Sequence, residues 1–153
     1  MRLIAVTTCT NRKRRLVSPG LDASSLPFGS QSEVAREWRK RLRAVTAVAP
    51  AIDLYCGRSF QEATSAARAG HADFRIISGG LGFIRGEETI PSYSLSLVRQ
   101  SPEFIGKRVI GPPFDVSGWW GAIQQSGETS PLAKAICVNR DAIAVIGISN
   151  AYL

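Results

Sequence analysis

An α/β fold, three layers around a mostly parallel central sheet, is predicted by two observations. Apolar runs of strand length (Leu3–Thr8, Phe74–Ser78 and Ala142–Ser149) alternate with stretches of helical periodicity. Each of these runs also ends in small, polar or glycine-rich residues: Thr8-Cys9-Thr10-Asn11, Ser78-Gly79-Gly80-Leu81-Gly82 and Ser149-Asn150-Ala151-Tyr152. In parallel sheets ligands bind beyond the carboxyl ends of the strands, so these three ends are expected to converge on one crevice. The chain of 153 residues is read as a single domain, 1–153.

The elements follow in order. Leu3–Thr8 reads as a buried strand, followed by a polar basic loop, Thr10-Asn11-Arg12-Lys13-Arg14-Arg15. Residues 18–32 are rich in Ser, Pro and Gly and predict an irregular or mobile segment. Ser30 and Glu33 form a capping box that opens a helix over about 31–47, with Val34, Trp38, Leu42 and Val45 on one stripe. Ile52–Cys56 is read as a short strand or an extended entry into the next helix. Ser59 and Glu62 suggest a second capping box and a helix over 60–69, stopped by Gly70. Residues 86–94 read as loop, Arg108–Ile110 as a strand and 114–125 as a helix.

The charge is unevenly placed. The net charge is +7, and residues 1–50 hold ten basic and three acidic residues, so the whole excess lies in the first third. Fifteen of the nineteen cations are Arg, whose fork matches phosphate oxygens, and clustering of this kind points to an acidic partner, nucleic acid above all. A basic face serving solubility alone is the plainer alternative. No run approaches the ~18 apolar residues of a membrane-spanning helix. The first residues are too short an apolar stretch for a signal peptide, and a cytoplasmic protein is expected. Cys9, Cys56 and Cys137 lie far apart and the chain has one His, so no metal site, disulfide framework or Ser-His-Asp triad is expected.

Candidate site residues come from the strand ends. Gly79, Gly80 and Gly82 let backbone approach a phosphate or a flat base, although such a cluster is usually a tight turn. The pattern fits neither the P-loop nor the dinucleotide fingerprint. Thr10 and Asn11 offer a hydroxyl and an amide. Cys9, beside Lys13 and the Arg run, is either a nucleophile or a small buried residue. Arg12, Lys13, Arg14 and Arg15 would hold phosphates, as would Arg58 near a helix N-terminus. Tyr93 either stacks on a base or packs in the core. Of Trp119 and Trp120, adjacent on a helix, at least one belongs to the core. His71 reads as solvated. Asp53, Glu87, Glu88, Asp115 and Asp141 lie in no motif that assigns a role.

Three segments together resemble a known group: Val6-Thr7-Thr8-Cys9-Thr10-Asn11-Arg12-Lys13, Leu54-Tyr55-Cys56-Gly57-Arg58-Ser59-Phe60, and Ile77-Ser78-Gly79-Gly80-Leu81-Gly82-Phe83 followed by Ile90-Pro91-Ser92-Tyr93-Ser94. They are similar to DUF6884-type domains, related to the base-modifying core of archaeosine synthase and more distantly to the peroxide-stress YaaA group. The resemblance implies a fold like that of uracil-DNA glycosylase. With the charge, it implies a DNA glycosylase that excises a modified base, such as a hypermodified pyrimidine of phage DNA like glucosylated hydroxymethylcytosine, in anti-phage defence. No cofactor or metal is implied. Many relatives carry Ala-Lys-Tyr or Ala-Gly-Tyr where this chain has Gly79-Gly80-Leu81, so chemistry resting on that Lys does not transfer. On this reading Ser78, Gly79, Gly80, Gly82, Thr10, Tyr93 and Tyr152 surround the flipped base. Asn11 or a nearby carboxylate positions water, backbone N–H groups or a donor such as Asn150 stabilise the departing base, and Cys9 is a further catalytic candidate. Two alternatives stand beside it: an enzyme modifying 7-deazaguanine in nucleic acid, with Cys9 or Lys13 as nucleophile, and a non-catalytic nucleic-acid-binding module.

Overall fold

The computed structural model describes residues 2–124, 137 and 141–149. Its centre is a four-stranded sheet in the order β4-β3-β1-β6, built from β1 (Arg2–Thr8), β3 (Asp73–Ser78), β4 (Gly82–Arg85) and β6 (Ala142–Gly147). β1 pairs in parallel with both β3 and β6, and only β4 runs antiparallel. The chain is α/β with a mostly parallel sheet, as its alternating apolar runs predict. Thr8 lies opposite Ile77 and Thr7 opposite Gly147, so the carboxyl ends of the three parallel strands sit side by side. The order also reverses at β1, which has β3 on one side and β6 on the other. In open α/β sheets that is where the ligand crevice forms.

Alternation along the strands gives each face its own apolar set. Ile4, Val6 and Ile77 form one cluster, against which Phe83 of β4 and Trp120 of α4 (Val116–Gln124) pack. Phe74, Ile76 and Ile84 join the main core with Phe60 and Ala67 of α3 (Arg58–Ala69) and with Val34, Ala35 and Trp38 of α1 (Gln31–Arg43). The Ser30–Glu33 capping box forms, with both reciprocal bonds present.

Several local expectations are corrected. Ile52–Cys56 is not a strand. Ala49–Pro50 (β2) pairs with Thr89–Ile90 (β5), and a one-turn helix, α2 (Ala51–Leu54), follows at once. The loop expected over 86–94 therefore contains β5. Arg108–Ile110 is not a regular strand. A 3-10 turn spans Ile105–Arg108, and Val109 makes a single bridge to Gly29. The second capping box is absent, because Gly57 stands at the N-cap with φ 126° and the helix begins at Arg58, before Ser59. Glu62 pairs with Arg58 instead, at 2.8 Å. α1 stops at Arg43, and the Val48 N–H is engaged by the Ile90 carbonyl at 2.9 Å. The 18–32 segment is irregular but anchored. Leu21, Ala23 and Leu26 are buried, and Ala23 and Ser94 N–H groups donate to Ser94 and Leu21 carbonyls, both at 2.8 Å. Among the described residues no helix is long and apolar enough to cross a membrane.

Candidate active site

The loop after β1 is stitched to the loop before α3. Thr10 Oγ1 donates to the Cys56 carbonyl at 2.5 Å, and the Cys56 N–H donates to the Arg12 carbonyl at 3.0 Å. Gly57 sits at φ 126°, a backbone that L side chains rarely adopt, so glycine is favoured there. This stitching bridges Lys13 antiparallel to Tyr55. A bridged, extended backbone sends alternate side chains to opposite sides. Lys13 turns inward and is half-buried, whereas Arg12 and Arg14 on the other side stay exposed; Arg15, past the bridge, is exposed as well, and none of the three makes an ion pair among the described residues. Arg14 borders a groove of about 460 Å³ shared with Tyr55, Phe60, Gln61, Thr64 and Arg68.

The Lys13 Nζ lies 4.1 Å from the centroid of the Tyr93 ring and 5.5 Å from that of Tyr55. Both are within the range of cation–π attraction. Its Nζ also meets the Thr10 and Asn11 carbonyls, each at 3.5 Å. Burial pushes the Lys13 amine below its ordinary value, while the charges that Cys9, Glu103 and Cys56 can carry pull it back up. Beneath it the hydroxyls of Tyr55, Ser78 and Tyr93 bond to one another: Tyr55 to Tyr93 at 2.7 Å, Ser78 to Tyr93 at 2.6 Å, Tyr55 to Ser78 at 3.2 Å. Burial holds the Tyr55 phenol well above its ordinary value, with Cys9 adding to the effect, so it stays protonated.

A second polar chain reaches the same loop. Asn11 Nδ2 donates to Ser101 Oγ at 3.3 Å, and Ser101 Oγ donates to Glu103 Oε2 at 2.5 Å. Glu103, Ser101, Tyr55 and Cys56 were not among the residues singled out as a site from sequence. The 95–105 segment that carries the first two has no helical or strand period. It is held by the bridge between Ser96 and Phe104.

The predicted glycine floor has a different local role. Gly79, Gly80 and Gly82 are all buried. The Gly79 carbonyl accepts from Trp119 Nε1 at 2.9 Å and the Gly80 carbonyl from Trp38 Nε1 at 2.7 Å. A Cβ on Gly80 would stand 2.7 Å from the Tyr93 ring, and one on Gly82 would run into Gln124. Gly80 is small so that the Tyr93 ring can close on the backbone, and Gly82, at φ 82°, so that Gln124 can. Their surfaces face the protein's own side chains. Tyr93 is 1% exposed, so its ring is not a free stacking platform. It supports Lys13, and it also touches the Gly80 turn. The basic segment and the glycine turn thus meet at one aromatic ring, at the carboxyl edge of the sheet.

Arg58 is exposed at the start of α3 and engaged by Glu62. Cys9 is half-buried, and its N–H donates to the Ile77 carbonyl at 2.9 Å. Of the tryptophans, Trp119 is buried and Trp120 half-buried, and His71 is exposed in its turn. Asn150 and Tyr152 lie outside the described residues, and Met1 does also. Among the described residues no group of three or more His, Cys, Asp or Glu side chains is placed to hold a metal.

A groove of about 620 Å³, lined by Arg2, Arg68, His71, Asp73, Arg85 and Glu87, lies at the opposite edge, where β1 and β3 begin. Its cations face carboxylates: Arg2 to Asp73 at 3.0 Å, Arg85 to Glu87 at 3.9 Å, Arg68 to Asp53 at 4.0 Å. The carboxyl edge offers exposed arginines instead, together with an inward amine and a carboxylate chain. No family model, curated protein or solved structure matches the chain.

Proposed function

We propose that the chain is a DNA N-glycosylase that removes a modified base, working at the carboxyl edge of a sheet arranged like that of uracil-DNA glycosylase. The observation that carries this reading is the Asn11–Ser101–Glu103 chain beside the exposed Arg12, Arg14 and Arg15. Arginines with no ion-pair partner fit backbone phosphates, and base chemistry in a duplex requires the nucleotide to leave the stack. Leu16, 95% exposed next to Arg15, is an apolar side chain suited to filling the gap that a flipped base leaves. The mechanism follows from these positions. The arginines grip the phosphates flanking the flipped nucleotide. Asn11 and Glu103 orient and deprotonate a water. That water attacks C1′ as the glycosidic bond breaks and positive charge develops on the sugar. The base leaves with the bonding electron pair and takes up a proton. The resemblance to DUF6884-type domains, with the anti-phage role it implies, points to modified phage DNA as the substrate.

The test is to incubate the protein with modified phage DNA and with plain DNA, then measure free bases by mass spectrometry and abasic sites in the polymer. The reading expects a released modified base matched by abasic sites. Binding without release from either DNA would instead favour a non-catalytic module.

A further inference from the structure

We propose that Lys13 gives this site a second activity, in which its Nζ condenses with the aldehyde of an abasic deoxyribose and cleaves the strand on the 3′ side of that sugar. The inference rests on the glycosylase reading for the origin of the abasic sugar, but its chemistry stands on Lys13 itself. The side chain is half-buried, and among the described residues no carboxylate lies within 4.0 Å of its Nζ. Its Nζ lies over two ring faces, at 4.1 and 5.5 Å, and meets two carbonyls at 3.5 Å, which position the amine without an ion pair. Other lysines on the described surface are placed differently. Lys40 is exposed and faces Glu37 at 3.6 Å, and Lys107 is exposed and donates to the Ser101 and Pro102 carbonyls at 3.0 and 3.3 Å. Burial favours the uncharged amine, which is the nucleophilic form.

The step balances without any co-reactant but water. The Nζ lone pair forms a bond to C1′ of the ring-opened sugar, the carbonyl oxygen takes a proton, and water leaves as the C=N bond forms. The protonated imine acidifies C2′–H. Loss of that proton forms a C2′–C3′ double bond as the C3′–O bond breaks, and the 3′ strand departs with its phosphate. Water then hydrolyses the imine, freeing Lys13 and an unsaturated aldehyde. Nothing is oxidised or reduced. Glu103, on the neighbouring chain of hydrogen bonds, is placed to accept the C2′ proton.

The experiment uses the full chain with a duplex carrying one preformed abasic site, so that it does not depend on base release. Sodium borohydride reduces an imine to a stable amine and fixes protein to DNA. The expected result is a trapped complex whose adduct maps by peptide mass spectrometry to Lys13, with strand cleavage when borohydride is omitted. Lys13→Arg, which offers a cation but no nucleophilic amine, is expected to lose both trapping and cleavage while still binding the duplex through Arg12, Arg14 and Arg15. An adduct on another amine, no adduct at all, or trapping retained in Lys13→Arg would overturn the proposal. Should Lys13→Arg fail to fold, the adduct map on the parent protein decides alone. Base release without trapping overturns this inference and leaves the glycosylase reading standing. Trapping without base release does the reverse.

Discussion

Glu103→Gln is expected to slow base release by about 100-fold while leaving folding intact, the size of effect that a positioned general base supplies. The amide is nearly isosteric and still accepts from Ser101 Oγ, so the 2.5 Å hydrogen bond and the local turn are retained. What is lost is the charge that draws a proton from water. A second consequence separates this role from a structural one. Glu103 is among the groups that raise the Lys13 amine against the effect of burial. Its removal lets the amine fall further, so a larger fraction is uncharged at a given pH. Imine trapping on abasic DNA should then reach its plateau at lower pH in Glu103→Gln than in the parent. Unchanged base release together with an unchanged trapping profile would remove Glu103 from the mechanism.

Trp38→Ala is expected to be the most damaging single change to the fold. Trp38 is fully buried, meets Tyr93 edge to face at 6.0 Å, and donates to the Gly80 carbonyl at 2.7 Å. Truncating a buried Trp costs about 3–5 kcal/mol. The stranded carbonyl adds about 1–3 kcal/mol where water cannot reach it. Against a typical total stability of about 5–15 kcal/mol, this places the variant near the unfolding threshold. Trp38→Phe separates the two contributions, since it keeps most of the aromatic packing and removes the donor. Urea denaturation should show a loss of about 1–3 kcal/mol for Trp38→Phe. A loss within 0.5 kcal/mol, roughly the scatter of neutral surface changes, would show that the indole N–H does not hold the glycine turn in place.

The parts of the molecule legible in the sequence are those set by local rules. The Ser30–Glu33 box is a contact between near neighbours, and the strands of the parallel sheet are continuous apolar runs. What stayed hidden depends on partners distant in the chain. The run Arg12-Lys13-Arg14-Arg15 reads as one uniform cationic loop. Only the bridge to Tyr55 sends Lys13 inward and leaves the arginines outside. Glu103 has no periodic segment to mark it and reaches Asn11 through Ser101, a partner 90 residues further along the chain than Asn11. The glycines were visible, but the Tyr93 ring and the Gln124 side chain that require Gly80 and Gly82 come from the 90–95 segment and from α4. Glycine clustering signals close approach, and sequence alone does not say whether a ligand or the protein's own core makes that approach.

The central claim is that nucleic acid is held at the carboxyl edge of the sheet, over the loop after β1. Hydrogen–deuterium exchange of the protein with and without a duplex carrying a stable abasic-site analogue tests it most directly. Slowed exchange is expected in peptides covering residues 10–17 and 99–105. Slowed exchange confined to the opposite groove, at Arg68, Asp73 and Arg85, with residues 10–17 unchanged, would contradict it.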